Sequence, residues 1–176
     1  MPSTLVLFEQ VETSTNQMNP EFSNFSSLLV HCLDLLHAGQ NQRALSIVDE
    51  YLSDPRAANT QVNFWSEYSI HQSMRFKALA LEGLDSDSAL QANIDQAAYC
   101  SERLKYWLDA TASAHAIAAI SHFKVGRLTE GRLASQEAVR ISGFTGKIDG
   151  LVEEAATLER ESFGLEEGDE VRPKGD

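Results

Sequence analysis

The chain has 176 residues, a hydrophobic fraction of 43% and a net charge of −12. That length suits one domain with a core of its own. The acidity argues against a nucleic-acid partner, whose phosphates want a basic surface, and no stretch approaches the roughly 20 apolar residues of a membrane span, so no membrane partner is expected.

Taken in order, residues 1–20 read as a flexible N-terminal arm, with Thr4–Phe8 as a short strand or docking segment inside it. No basic start precedes that apolar run, so no signal peptide is expected. A first helix begins near Pro20-Glu21 and places Phe22, Phe25, Leu28, Leu29, Cys32, Leu35 and Leu36 on one face. Its partner runs from about Gln42 to Leu52 and ends at Asp54-Pro55, before a linker over 56–60. A second pair follows. Its first helix spans about Val62 to Glu82, with Trp65, Tyr68, Phe76 and Leu79 as apolar positions. The second is capped by Asp85-Ser86-Asp87 and carries Leu90, Ile94, Ala97, Leu104, Trp107 and Leu108. A third hairpin covers Ser113 to Phe144. Ala116, Ile117, Ala119, Ile120 and Phe123 lie before a hinge at Gly126, Thr129 caps the next helix, and Leu133, Ala134, Ala138 and Ile141 follow. Small residues at Ala119, Gly131 and Ala138 let the two backbones approach closely. A last helix, from about Lys147 to Phe163, turns Ile148, Leu151, Val152, Ala155 and Leu158 inward and Glu153, Glu154, Glu159 and Glu161 outward. The end of the chain, 165–176, reads as an acidic disordered tail.

Gly39, Gly83 and Gly126 stand 44 and 43 residues apart, each after an apolar helix and before a polar link into a second one. A lone helical hairpin cannot bury its apolar face, so such units are expected to stack. From Gly39 the sequence gives Ala44, Val48 and Tyr51, then Asp54-Pro55; from Gly126 it gives Gly131, Ser135 and Ala138. Cys32 and Ala119 lie seven residues before those hinges. These positions resemble tetratricopeptide repeats, which place a small residue seven before the hinge, an Ala five after it, a large residue nine after it and another Ala twelve after it, with a Pro following the second helix. The middle unit departs from the pattern: Phe76 replaces the small residue, and Ala89 needs a one-residue slip. The units are also longer than the family's 34 residues, closer to the long-helix repeats of bacterial regulatory domains. The resemblance implies an all-α, right-handed stack of about three antiparallel helix pairs plus a C-terminal capping helix over 21–164.

Charge is unevenly spread. Residues 1–102 carry net −9, residues 103–147 net +4 and residues 148–176 net −7. The basic island holds Arg103, Lys105, Lys124, Arg127, Arg132, Arg140 and Lys147. It reads either as a solvated helix face, paired in part with the chain's own acids, or as a patch for an acidic peptide, since guanidinium forks grip carboxylates with two hydrogen bonds.

No P-loop, GxSxG, HExxH or CxxC occurs, and a catalytic role is not expected. His115 and His122 share a helix face, but the acids and thiols a metal site needs are distant, so no metal or cofactor is expected. Cys32 and Cys100 fall inside helical patterns and read as buried thiols of a reducing compartment, which makes the cytoplasm the expected location. Trp65, Tyr68 and Trp107 read as core, or as anchors in a concave face.

The resemblance implies a protein–protein interaction scaffold, adaptor or regulator that holds a partner peptide in a groove lined by first helices. Gln72, Arg75, His115, Ser121 and His122 are its candidates there, with Arg127, Arg132 and Arg140 on the basic island. Two further readings remain open. Size, acidity and an N-terminal arm are similar to class II type III secretion chaperones, which would imply a homodimer. A ligand- or peptide-sensing regulatory module, as in long-repeat regulators, is the other.

Overall fold

The computed structural model describes residues 20–53, 64–146 and 148–164, and all regular structure there is α-helical. Among the described residues seven helices follow one another: α1 Pro20–His37, α2 Asn41–Ser53, α3 Phe64–Glu82, α4 Ser86–Arg103, α5 Leu108–Lys124, α6 Leu128–Thr145 and α7 Gly150–Phe163. The expected arm, the 56–60 linker, the tail and Lys147 lie outside the described residues, as do the side chains of Phe22, Phe25 and Trp65. The chain divides into two compact units, residues 1–99 and 100–176.

In the first unit α1 packs on α2 and α3, and α2 packs on α3. Leu35, Ala44 and Ala80 are buried together, with Leu36, Leu45 and Ile47 against them. The turn from α1 to α2 is set by Gly39 at φ 68°. Gly39 N donates to the Leu36 carbonyl at 3.0 Å and Gln40 N to that of Leu35 at 2.8 Å. This pair of bonds satisfies carbonyls that a helix end leaves without partners, and it needs a left-handed residue that costs only glycine nothing.

The second unit repeats that device. Gly126 has φ 77°, its N donates to the Phe123 carbonyl at 3.0 Å, and Arg127 N donates to that of His122 at 2.9 Å. Here α5 packs on α6 and α7, and α6 on α7. The core is built from Ala112, Ala116, Ala119, Ile120, Ala138, Ile141, Val152 and Ala155, flanked by Leu108, Phe123, Ala134, Leu151 and Leu158. Five of these eight buried residues are alanine. Each such residue contributes little apolar area but allows close helix approach, so Ile120, Ile141 and Val152 supply most of the burial energy, about 1.5–3 kcal/mol apiece. Gly131 shows how close that approach is: a Cβ there would meet the Phe123 ring at 2.7 Å. Helix α5 is buried on nearly every side, as its alanine-rich sequence allows.

Several expectations are corrected. Gly83, which stands in sequence where Gly39 and Gly126 do, lacks their left-handed backbone; the Asn41 side chain occupies the space of its missing Cβ. The turn is made instead by Leu84 N and Asp85 N on the Leu81 carbonyl, and by Asp85, whose carboxylate accepts from Asp87 N and the Ser88 hydroxyl. Helix α4 stops at Arg103, so Leu104 and Trp107 lie in a connection and Leu108 opens α5. Thr111 fixes this connection by donating to the Trp107 carbonyl at 3.1 Å and the Leu104 carbonyl at 3.3 Å. Thr129 is not the cap of α6, which begins one residue earlier and has no side-chain cap. Leu133 is 64% exposed and Ile148 69% exposed rather than core. Glu159, expected to face solvent, is 5% exposed. It follows Val152 and Ala155 along the buried face of α7, and a charged residue there is kept only by partners.

Candidate functional site

The second unit gathers most of the residues singled out in the sequence. On α6, Leu133, Glu137, Arg140 and Phe144 recur at spacings of four, three and four, which puts them on one face. Both ends of that stripe are apolar and open, Leu133 at 64% and Phe144 at 70% exposure. Between them the Arg140 fork donates to the two Glu137 carboxylate oxygens at 2.7 and 2.6 Å, and its guanidinium lies 5.8 Å over the Phe144 ring. The hydrogen bond from Arg140 holds the Glu137 carboxyl below its usual range.

His115 of α5 feels this pair: burial depresses its pKa most, Glu137 raises it and Arg140 lowers it. Its Nε2 is 2.8 Å from the Ser101 hydroxyl. Two turns further along α5, His122 is buried. Burial again lowers its pKa first, with Glu130 opposing and Arg127 reinforcing, and its Nδ1 has no hydrogen-bond partner. Ser121 is half-buried beside it.

Arg132 is directed elsewhere. It meets Glu159 of α7 at 3.3 Å and covers the Phe163 ring at 4.9 Å, and Gln136 Nε2 donates to the same carboxylate at 3.2 Å. The basic island is therefore not one open patch. Arg132 and Arg140 are held by acids of their own unit, whereas Lys124 and Arg127 stand exposed at the α5–α6 hinge.

Gln72 and Arg75 belong to the first unit, on α3. Gln72 is half-buried. Around Arg75 the interior is polar, which apolar periodicity did not reveal: Glu67, Ser69, His71 and Ser73 of α3 and Asn93 and Gln96 of α4 are all buried. The Tyr99 hydroxyl donates to the Glu67 carboxylate. Gln96 Nε2 lies 3.3 Å from His71 Nδ1. Burial, with the Arg75 charge second, drives the His71 pKa down from 6.5 to about 4, so the ring is neutral at physiological pH.

Among the described residues no group of three or more His, Cys, Asp or Glu side chains is placed to hold a metal ion, and no helix is long and apolar enough to cross a membrane. Cys32 and Cys100 are buried and in no disulfide, and burial pushes the Cys100 thiol up to about 12. Trp107 is half-buried and Tyr68 buried. No protein-family model, curated protein or solved structure matches the chain.

Proposed function

We propose that the chain is an interaction module of tetratricopeptide-like helical repeats, acting as an adaptor or regulator, and that the outer face of α6 holds an acidic segment of a partner protein through apolar anchors. The observation that carries this reading is the open Leu133–Glu137–Arg140–Phe144 stripe. Two large apolar side chains on one polar-flanked face contribute nothing to this unit's own core, and exposed apolar area of that kind marks association surfaces. An acidic partner is favoured because residues 103–147 carry net +4 in a chain of net −12, with Lys124 and Arg127 exposed to steer it. Arg140 can exchange its exposed bond with Glu137, worth little in water, for one with a partner carboxylate.

The repeat reading is supported by the paired left-handed glycines, Gly39 and Gly126, and by burial at matching offsets from them: Cys32, Ala44 and Val48 in the first unit, Ala119, Gly131, Ser135 and Ala138 in the second. The location in the reducing cytoplasm is inferred from the two unbridged buried thiols.

The test is affinity capture from the host at low salt, with the parent chain beside Leu133→Asp combined with Phe144→Asp. A stoichiometric acidic partner retained by the parent, lost by the double variant and released by salt is the expected result. A partner retained equally by both, with unchanged melting temperatures, would move binding off α6. A parent that only associates with itself through this face would replace the adaptor reading with a dimer interface.

A further inference from the structure

The contact between α3 and α4 is a ladder of polar rungs, and its last rung is incomplete. Glu67, His71 and Arg75 follow at intervals of four on α3; Tyr99, Gln96 and Asn93 follow at intervals of three in the reverse direction on α4. Tyr99 closes the first rung on Glu67 and Gln96 the second on His71. Asn93, fully buried, is next in order towards Arg75. At that level Arg75 Nη1 is sealed from solvent and has no hydrogen-bond partner, and Gln96 Oε1 is in the same condition one rung away.

Among the described residues Arg75 has no ion pair. Glu67 is engaged by Tyr99, and Asp49 pairs with Lys77 at 2.8 Å. Glu82 acts on the guanidinium only through space, from an exposed position two turns along the helix. His71 and Gln96 are uncharged. Arg75 as a whole is half-buried, but a guanidinium nitrogen sealed from water with no partner is costly to keep. The same arrangement makes its binding preference steep: an anion that enters gains the pairing the fold withholds, and the forked donors suit a carboxylate. The Gln96 oxygen asks in addition for a donor. Beside a guanidinium that donor is better a neutral hydroxyl than an ammonium.

We propose that Arg75 and Gln96 form a binding site for a small hydroxycarboxylate between α3 and α4, with Arg75 receiving the carboxylate and Gln96 Oε1 the hydroxyl. The site lies in the first unit and is independent of the α6 surface. It would make this unit a sensor of a small organic acid. Size is limited by its surroundings, since Asn93 and Gln96, the α4 residues of these two rungs, are fully buried.

Glycolate is the probe, applied to the full chain at constant ionic strength against acetate and chloride. Saturable binding by calorimetry is expected for glycolate, weaker for acetate and absent for chloride. Arg75→Met should abolish it, and Arg75→Lys, which keeps charge but loses the fork, should weaken it by about tenfold. The His71 ring resonance supplies a second reading that bulk stability does not move. Glycolate should raise its titration midpoint above about 4, because the bound carboxylate cancels the Arg75 field, the second cause after burial that holds it down. No saturable glycolate signal, a signal equalled by chloride, one that survives Arg75→Met, or one undiminished in Arg75→Lys with His71 unmoved would overturn the proposal. Should Arg75→Met prove unfolded, Arg75→Lys and the His71 titration of the parent still decide it.

Discussion

Arg132 of α6 lies 3.3 Å from the Glu159 carboxylate of α7, and the two differ sharply in exposure, 37% against 7% for their side chains. The asymmetry decides what each contributes. Arg132 has solvent to fall back on, but among the described residues Glu159 has only Arg132 and Gln136. Arg132→Ala should therefore cost unit two about 1–3 kcal/mol, through the carboxylate left behind, whereas Arg132→Ala with Glu159→Gln should recover much of it. Thermal melts of the three proteins check this. Equal melting temperatures for parent and Arg132→Ala would return the pair to the class of surface bridges worth little.

Two glycines of the third hairpin should fail for different reasons. Gly126 has open space around its missing Cβ but φ 77°, so Gly126→Val carries only a backbone cost, about 1–3 kcal/mol. Gly131 has ordinary helical geometry, but its Cβ would enter the Phe123 ring. Gly131→Ala should cost about 1–3 kcal/mol, and Phe123→Leu in the same chain should relieve part of it. Denaturant melts are the measurement; relief of Gly126→Val by Phe123→Leu would contradict this division.

Asp149 anchors the start of α7. Its Oδ1 accepts from Leu151 N at 2.9 Å and Val152 N at 3.0 Å, and its Oδ2 accepts from the Ser113 hydroxyl of α5. Asp149→Ala should cost about 0.5–2 kcal/mol, as other N-caps do, and amide exchange should quicken first in Leu151 and Val152. Asp149→Asn, which keeps an acceptor for the two amides, should lose less.

Stability should fall in mild acid. His71 takes up a proton near pH 4 when folded and near 6.5 when unfolded. Between those values the unfolded chain holds the extra proton, so each pH unit of acidification removes up to about 1.4 kcal/mol for this one group. His115 and His122 are shifted the same way by burial and add to the slope. Above about pH 7 the contribution is complete and flat. His71→Gln retains an acceptor for Gln96 and should flatten the curve between pH 6.5 and 4; an unaltered slope would assign the acid sensitivity to other groups.

How much of this could be read in the sequence depended on which physical signal each residue carried. The seven helices were legible because apolar residues recur at helical spacing, and the hinges at Gly39 and Gly126 because only glycine takes their backbone without cost. The end of α4 was not, since Leu104, Trp107 and Leu108 continue an apolar pattern with no Gly or Pro to interrupt it, and the hydroxyl of Thr111 that fixes the connection gives no periodic signal. Glu159 was misplaced for the opposite reason. Its spacing from Val152 and Ala155 put it inside, but its charge suggested outside, and its partners, Arg132 and Gln136, lie more than twenty residues away in sequence. The polar seam of α3 was invisible to apolar periodicity altogether. Glu67, His71 and Arg75 share a face that reads as solvent-exposed until the complementary spacing of Asn93, Gln96 and Tyr99 on α4 is set against it.

Cys32 falls in one compact unit and Cys100 in the other, both fully buried. A thiol reagent reaches such a sulfur only when the surrounding helices open, and burial that raises the thiol pKa slows the reaction further. The chain thus carries its own pair of internal clocks. The modification rate of each cysteine measures how often its own half breathes, and comparing the two tells whether the halves open together or one at a time, without any label added to the surface.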